Sequence, residues 1–299
     1  MMIGGRPWGF QYSPYAYFNE HCIFLDQKHI PMIINQQTLI NLVDIEKQLP
    51  EYFVGSNADL PIVGGSMLAH EHYQGGRHIF PMMKAKIKKE IYFEKYLEVK
   101  AGIVDWPMSD LRLISKNSLD LIDLGSKIID FWDHYSDPAR QIKAFEGNSK
   151  HHTVTPIMHR EGDRFILDLV LRDNNTSDEY PLGIFHPHAE LWHIKKENIG
   201  LIEVMGRAIL PGRLKGELEE VKKYLLNQDN QIADSHLDWA RKLKADSQIA
   251  KENVDSILQQ ALVEIFDQVL ECAGVFKNNK DGEIGWQKFT DALISEVDR

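Results

Sequence analysis

Apolar and polar positions alternate along this chain with a period that changes from region to region. Over 36–48 the apolar residues Leu39, Leu42 and Val43 recur at helical spacing, and Asn35 stands in front of them as a residue able to cap the first turn. Pro50 sits where that helix should have stopped. Ile23-Phe24-Leu25 and the stretch around Val54 read as strand pieces. Residues 99–114 give further strand material, and 118–135 return to helical spacing with Leu119, Ile122, Ile128, Ile129 and Trp132 turned inward. Over 153–172 the period becomes two. Phe165, Leu167, Leu169 and Leu171 line one face, and Glu161-Gly162-Asp163 reads as the turn of a hairpin. Beyond 213 the chain is charged and helical, over 214–228, 232–245 and 254–273, with Gly274 placed to end the last helix.

Three regions follow: 1–92, 93–212 and 213–299. The first two echo each other. Each has a helix, then Phe-x-Gly (Phe53-Val54-Gly55; Phe145-Glu146-Gly147), then His-x-His. The reading is an α+β fold of two similar halves, with mostly antiparallel sheets and packed helices, followed by a helical C-terminal region. Lys277-Asn278-Asn279-Lys280-Asp281-Gly282 has the look of a calcium loop. Its first and twelfth ligand positions would be Lys277 and Lys288, charges that repel the ion, so the motif is rejected.

Composition narrows the function classes. A chain of 299 residues can bury one large core or two ordinary ones. A net charge of −10 gives no basic footprint for nucleic acid, so any phosphate must be held in a local pocket. Cys22 and Cys272 are far apart, which argues against a disulfide framework or a thiolate zinc site and makes a reducing cytoplasm the default. No run approaches a membrane span, and no signal peptide is evident. The chain enters aromatic-rich sequence at once, from Trp8 to Tyr17, as if it began inside a domain. Those aromatics could stack a base or a sugar, although core packing is their commoner fate.

Histidine carries the chemical information. Thirteen are present, and they cluster at His70, His72 and His78, at His151 and His152, and at His186, His188 and His193. On a strand, residues two apart share a face, so His70 with His72 and His186 with His188 suit either a metal or a catalytic pair. Around the first pair, Gly64-Gly65-Ser66 and Gly75-Gly76 would let backbone N–H groups approach a phosphate. Gln74 shares the face of His72, and Arg77 is the nearby fixed cation. A neutral imidazole is a competent nucleophile at phosphorus and a good leaving group afterwards. His151 or His152 could join His186 and His188 as a third ligand. Lys195 and Lys196, beside Asn198-Ile199-Gly200, could bind phosphate or be solvated surface charges.

The segment Gly65-Ser66-Met67-Leu68-Ala69-His70-Glu71-His72-Tyr73-Gln74-Gly75-Gly76-Arg77-His78 resembles the active-site segment of galactose-1-phosphate uridylyltransferases of the second, bacterial class, within the HIT-like superfamily. Phe185-His186-Pro187-His188, Ile199-Gly200-Leu201-Ile202-Glu203-Val204-Met205-Gly206 and Trp8-Gly9-Phe10-Gln11-Tyr12-Ser13-Pro14-Tyr15 carry the likeness along nearly the whole chain. The resemblance implies HIT-like halves and exchange of a uridylyl group between UDP-glucose and galactose 1-phosphate. The exchange is ping-pong, through a uridylyl-histidine. It implies His72 as nucleophile, with Gln74 on the transferred phosphoryl oxygens and His70 beside them. Asn57, Gly65 and Ser66 would lie along phosphate and nucleotide, with Ile199, Gly200 and Glu203 along the hexose phosphate. Arg77 and Lys196 complete the substrate-binding set. It also implies a divalent metal, zinc or iron, at His186, His188 and His151, and a homodimer. The substrates would be UDP-glucose, UDP-galactose and a hexose 1-phosphate, with no nucleic acid or membrane partner. Two departures stand out: no cysteine pair accompanies His70, and a long N-terminal region of the family has no counterpart here. The alternatives are a HIT-type nucleotide-sugar hydrolase or phosphorylase, and a non-catalytic fragment or metal-binding module.

Overall fold

The computed structural model describes residues 1–64 and 67–299. Strands β1 (Met2–Ile3), β2 (Arg6–Tyr12) and β3 (Cys22–Asp26) form a meander that leads into helix α1 (Gln36–Gln48). The cap expected at Asn35 is present: its side chain accepts from the N–H groups of Gln37 and Thr38, while Thr38 Oγ1 accepts from the Asn35 N–H. After α1 come β4 (Phe53–Gly55) and β5 (His72–Gly76), a single turn α2 (Pro81–Lys84), and β6 (Ile87–Ile91), β7 (Lys100–Val104) and β8 (Asp110–Ser115). Helix α3 (Ser118–Trp132) precedes a small ribbon of β9 (Phe145–Glu146) and β10 (Ser149–Lys150), then the hairpin β11 (His152–Glu161) and β12 (Arg164–Asp173). The helices α4 (Leu201–Val204), α5 (Leu214–Leu225), α6 (Asp234–Asp246), α7 (Val254–Ala273) and α8 (Lys280–Val297) complete the chain.

Ten strands form one antiparallel sheet in the order β1-β2-β3-β5-β4-β11-β12-β8-β7-β6. The fold is α+β, as expected. The echo between the halves is a matter of connectivity. In the first, β2-β3-α1-β4-β5 is laid out as β2-β3-β5-β4; in the second, β7-β8-α3-β11-β12 is laid out as β7-β8-β12-β11. The two sets meet where β4 pairs antiparallel with β11, Gly55 opposite Ile157 and Val54 opposite Met158. Phe-x-Gly does not mark equivalent places. Phe53 is buried in β4, whereas Phe145 is 40% exposed in the separate ribbon, where Gly147 makes the turn with a φ of 58°.

Alternation sorts the strand residues between two cores. On one face Phe24, Tyr73, Val54, Met158, Leu167, Leu169, Leu171, Leu111 and Leu113 meet α1, α3 and α8. On the other face Phe53, Ile157 and Val170 meet residues of α4, α5 and α7. The hairpin stripe Phe165–Leu171 is thus buried as its period implies. In α3, Leu121 and Leu124 are buried while Leu119 is 70% exposed, because the helix is rotated so that position 119 faces solvent. Three ends also shift by two residues or more: α3 stops at Trp132, α5 stops at Leu225 and α6 starts at Asp234. Helix α8 was hidden by its own start. Asn279 accepts from the Gly282 N–H as an N-cap, and a Cβ on Gly282 would lie 1.8 Å from the Lys277 carbonyl oxygen, so the stretch that looks like an ion loop is a tight helix entry.

Gly75 shows how closely β5 is held. A Cβ there would lie 2.6 Å from the Phe53 carbonyl oxygen and 3.0 Å from the Phe24 ring. Overpacking against backbone has no side chain to yield, so Gly75→Ala is expected to lower unfolding free energy by about 1–3 kcal/mol. Urea denaturation checks this, and an unchanged midpoint would show that the β4 backbone can move aside.

Candidate active site

His72 opens β5, the strand between β3 and β4. Tyr73 points into the helix-covered core and stacks on Trp8 at 5.0 Å. Alternation therefore puts His72 and Gln74 on the opposite face, roughly 7 Å apart along the strand. His72 is buried, and its Nδ1 lies 2.8 Å from the His70 carbonyl oxygen. A carbonyl can only accept, so in the neutral ring Nδ1 carries the hydrogen and Nε2 the lone pair. Nε2 has no hydrogen-bond partner among the described residues. Burial lowers the imidazole pKa, partly offset by the bond to the His70 carbonyl. The group is therefore a neutral base with its free electron pair on the outer nitrogen.

The segment that delivers His72 is pinned from beneath. Arg6 bridges Asp26 at 2.6 Å and Glu71 at 2.9 Å. Glu71 also accepts from the Tyr73 hydroxyl at 2.6 Å, and the Asp26 N–H donates to the Glu71 carbonyl. His70 precedes the strand, so the two histidines are not strand neighbours as their spacing implies. Its Nε2 is 2.7 Å from the Asp26 carbonyl oxygen, and its ring lies against His29 at 4.4 Å. The part of His70 that serves His72 is its backbone carbonyl.

Gln74 is half-buried, and its Oε1 lies 3.0 Å from His21 Nε2. Its strand partner on β4 is Gly55. A Cβ on Gly55 would lie 2.8 Å from the Leu201 Cδ1, so the start of α4 rests on the strand next to Gln74. Asn57 Oδ1 accepts the Leu201 N–H at 2.8 Å, and Gly64 packs on the Ile199 carbonyl. Arg172, fully buried, donates to that same carbonyl at 3.0 Å and to Thr155 Oγ1 at 3.3 Å. Burial pulls its pKa down to about 10, which leaves it charged at neutral pH. Glu203 accepts from the Gly200 and Ile209 N–H groups and pairs with buried Lys195 at 2.7 Å, while burial raises its pKa. Asn57, Ile199, Gly200 and Glu203 are thus gathered beside the strand of His72.

Other residues singled out in the sequence lie elsewhere or serve differently. Gly65 and Ser66 lie outside the described residues. Gly75 and Gly76 do not open a phosphate cradle: Phe53, Phe24, Glu20 and Phe18 fill the space beside them. Arg77 is exposed, 3.6 Å from Glu20, and Lys196 lies over the Trp192 ring at 4.7 Å. His186 and His188 are in irregular chain, not on a strand. His186 Nε2 contacts Asn198 at 3.2 Å, His188 Nε2 contacts the Ile184 carbonyl at 3.0 Å, and His151 Nδ1 contacts Asn174 at 2.7 Å. Among the described residues no three His, Cys, Asp or Glu groups converge as ligands of one ion. His151, His186 and His188, each turned to an amide or carbonyl oxygen, do not form a donor set that fits a metal among the described residues. Of the aromatic opening, Trp8 is buried, while Tyr15 is exposed and stacks on Tyr17 at 5.6 Å, with Tyr17 stacked in turn on His21 at 5.7 Å. His21 and Arg172 escaped the sequence reading. Neither belongs to a cluster or motif, and only the strand pairing brings them here.

Known proteins locate the chain further. Residues 45–241 match the pattern of the galactose-1-phosphate uridyl transferase C-terminal domain. A galactose-1-phosphate uridylyltransferase of Lactobacillus helveticus is 77% identical over 297 residues, which is 99% of this chain and 61% of that protein. Proteins of the same name from Pediococcus pentosaceus and Lactiplantibacillus plantarum are 59% and 58% identical over 98% of the chain. The chain spans about 60% of the length of these curated relatives. A solved DUF4931-family protein from Bacillus cereus aligns with 58% of this chain and 86% of its own at 11% identity and a TM-score of 0.37, too distant to carry an argument. No described helix is long and apolar enough to cross a membrane. With two thirds of its residues under the domain pattern and nearly all of them aligned to such relatives, the chain belongs to the galactose-1-phosphate uridyl transferase family.

Proposed function

We propose that this chain carries the uridylyl-transfer centre of a UDP-glucose–hexose-1-phosphate uridylyltransferase, with His72 as the nucleophile. The observation that carries the reading is the 2.8 Å bond from His72 Nδ1–H to the His70 carbonyl, which leaves the Nε2 lone pair outermost. Nε2 attacks the α-phosphorus of UDP-glucose. The bond from that phosphorus to the bridging oxygen breaks, and glucose 1-phosphate leaves with its electron pair. The ring of the uridylyl-histidine carries a positive charge, which the His70 carbonyl stabilises through Nδ1–H. Galactose 1-phosphate then attacks the same phosphorus through a phosphate oxygen, the N–P bond breaks, and UDP-galactose departs. Both nucleophiles are used unprotonated, so no general base is required. Charge on the non-bridging oxygens is met by N–H donors of Gln74. The stack of exposed Tyr15 on half-buried Tyr17 supplies an aromatic surface for uracil, and Ile199 and Gly200, beside buried Arg172, supply a wall for the sugar phosphate.

With uridine-labelled UDP-glucose the chain is expected to take acid-labile label. His72→Ala is expected to lose at least about a thousandfold in labelling rate, and Gln74→Ala about a hundredfold or more. Normal labelling of His72→Ala would sink the assignment. With no acceptor present, the label should persist; steady UMP release would redirect the reading to a hydrolase.

The pH profile follows from burial. The reactive form of His72 is neutral, and its pKa lies below the ordinary imidazole value of 6.5. Protonation therefore sets in only at lower pH. Labelling rates should fall as pH is lowered, with the midpoint of the fall below 6.5. A fall centred above 6.5 would contradict a desolvated nucleophile.

A further inference from the structure

His21 has no part in the chemistry so far, yet Gln74 is set against it. The residue is 4% exposed. Its ring lies 4.4 Å from that of Phe18 and 5.7 Å from that of Tyr17. Its backbone is held on both sides: its N–H donates to the Phe18 carbonyl, and its own carbonyl accepts the Ser13 N–H. The imidazole is therefore fixed in place before it meets Gln74.

The contact between His21 Nε2 and Gln74 Oε1, at 3.0 Å, has a definite polarity. His21 Nδ1 is buried and has no partner among the described residues. If Nε2 carries the hydrogen, it donates to the amide oxygen, and Nδ1 is an unshared acceptor. If the amide is flipped so that its nitrogen donates to Nε2, then Nδ1 must carry a hydrogen buried without an acceptor. Orphaned buried donors are rarer than under-satisfied acceptors, so the first arrangement prevails. A protonated ring would bury the same orphan hydrogen with a charge as well, and burial indeed lowers the pKa of this group. His21 therefore stays neutral, with Nε2–H towards Gln74.

The consequence lies at the other end of the amide. With its oxygen tied to His21, Gln74 turns its NH2 group outward, where it has no partner among the described residues. An amide free to flip would offer its oxygen half of the time and repel the phosphoryl oxygens. We propose that His21 is a positioning residue for phosphoryl transfer, locking the Gln74 amide so that its nitrogen, not its oxygen, faces the transferred group. This rests on the uridylyl-transfer reading above and adds to it a residue in the segment leading into β3.

Three variants of the chain separate positioning from packing. H21L keeps an apolar side chain of similar size without a donor, H21Q restores a donor, and Q74A removes the amide. Under single-turnover conditions, H21L is expected to take label from UDP-glucose about 10- to 100-fold more slowly. Its Kd for UDP-glucose should stay within about threefold of wild type, because the lost interaction forms mainly in the transition state. H21Q should recover most of the rate. In the Q74A background H21L should add less than about twofold, since both act through one group. Wild-type rates in H21L, or effects that multiply with Q74A, overturn the proposal. Imidazole ¹⁵N shifts give a reading that needs no turnover: an Nε2–H tautomer is expected, and an Nδ1–H tautomer overturns the lock even if H21L fails to fold. A wild-type chain that takes no label overturns the transferase reading and the role of His21 with it, whereas label on an unimpaired H21L overturns His21 alone.

Discussion

The site depends on β5 being clamped along both edges. β3 pairs with it from Leu25 to Cys22, and β4 pairs with it from Gly55 to Phe53. Only five residues long, it could slip by one place without losing many hydrogen bonds. That slip would turn His72 and Gln74 into the helix-covered core and Tyr73 out of it. Several contacts oppose it. Gly75 and Gly76 let the Phe53 and Glu20 carbonyls approach closer than any Cβ would allow. Tyr73 is stacked on Trp8 and hydrogen-bonded to Glu71, and Arg6 ties Glu71 to Asp26 on the neighbouring strand. The bond from His72 to the His70 carbonyl is available only because the chain turns into the strand at this point. Tautomer, imidazole direction and strand register are thus one constraint.

The second half of the sheet contributes through the β4–β11 seam. Leu201 rests on Gly55, Asn57 receives the Leu201 N–H, and Arg172 holds the Ile199 carbonyl. The outcome bears on the charge of the molecule. A chain with a net charge of −10 has no broad field to attract phosphate. It has instead the buried Arg172 guanidinium, which has no hydrogen-bonded carboxylate among the described residues and donates to Thr155 and the Ile199 carbonyl. Glu203 and Lys195, both buried, neutralise one another and hold the 195–209 segment in shape.

Much was legible in the sequence because local physics fixes it. The Asn35 cap, the inward stripe of α1 and the turn at Gly162 depend on neighbours within a few residues, and they formed as the pattern implies. So did the shared face of His72 and Gln74, a property of any strand. Extending that rule to His70, His186 and His188 failed because none of them is in a strand, and a two-residue spacing has no fixed direction in irregular chain. Leu119 failed for a related reason. Helical period gives a stripe, but the rotation of α3 against the sheet decides which edge of it is covered.

The sequence by itself determined the α+β class, the hairpin that turns at Gly162, and the candidate histidine and its glutamine, since alternation, turn chemistry and residue type are local properties. Only the tertiary structure decided which groups stand around them. His21 and Gln74 are 53 residues apart, and Asn57 and Leu201 are 144 apart. Each pair meets because non-local strand pairing closes loops whose contents no short window reveals. The glycines beside His72 make the same point: read locally they leave room for phosphate, and in the fold that room is taken by Phe24 and Phe53 of the flanking strands and by Phe18 and Glu20 of the loop before β3.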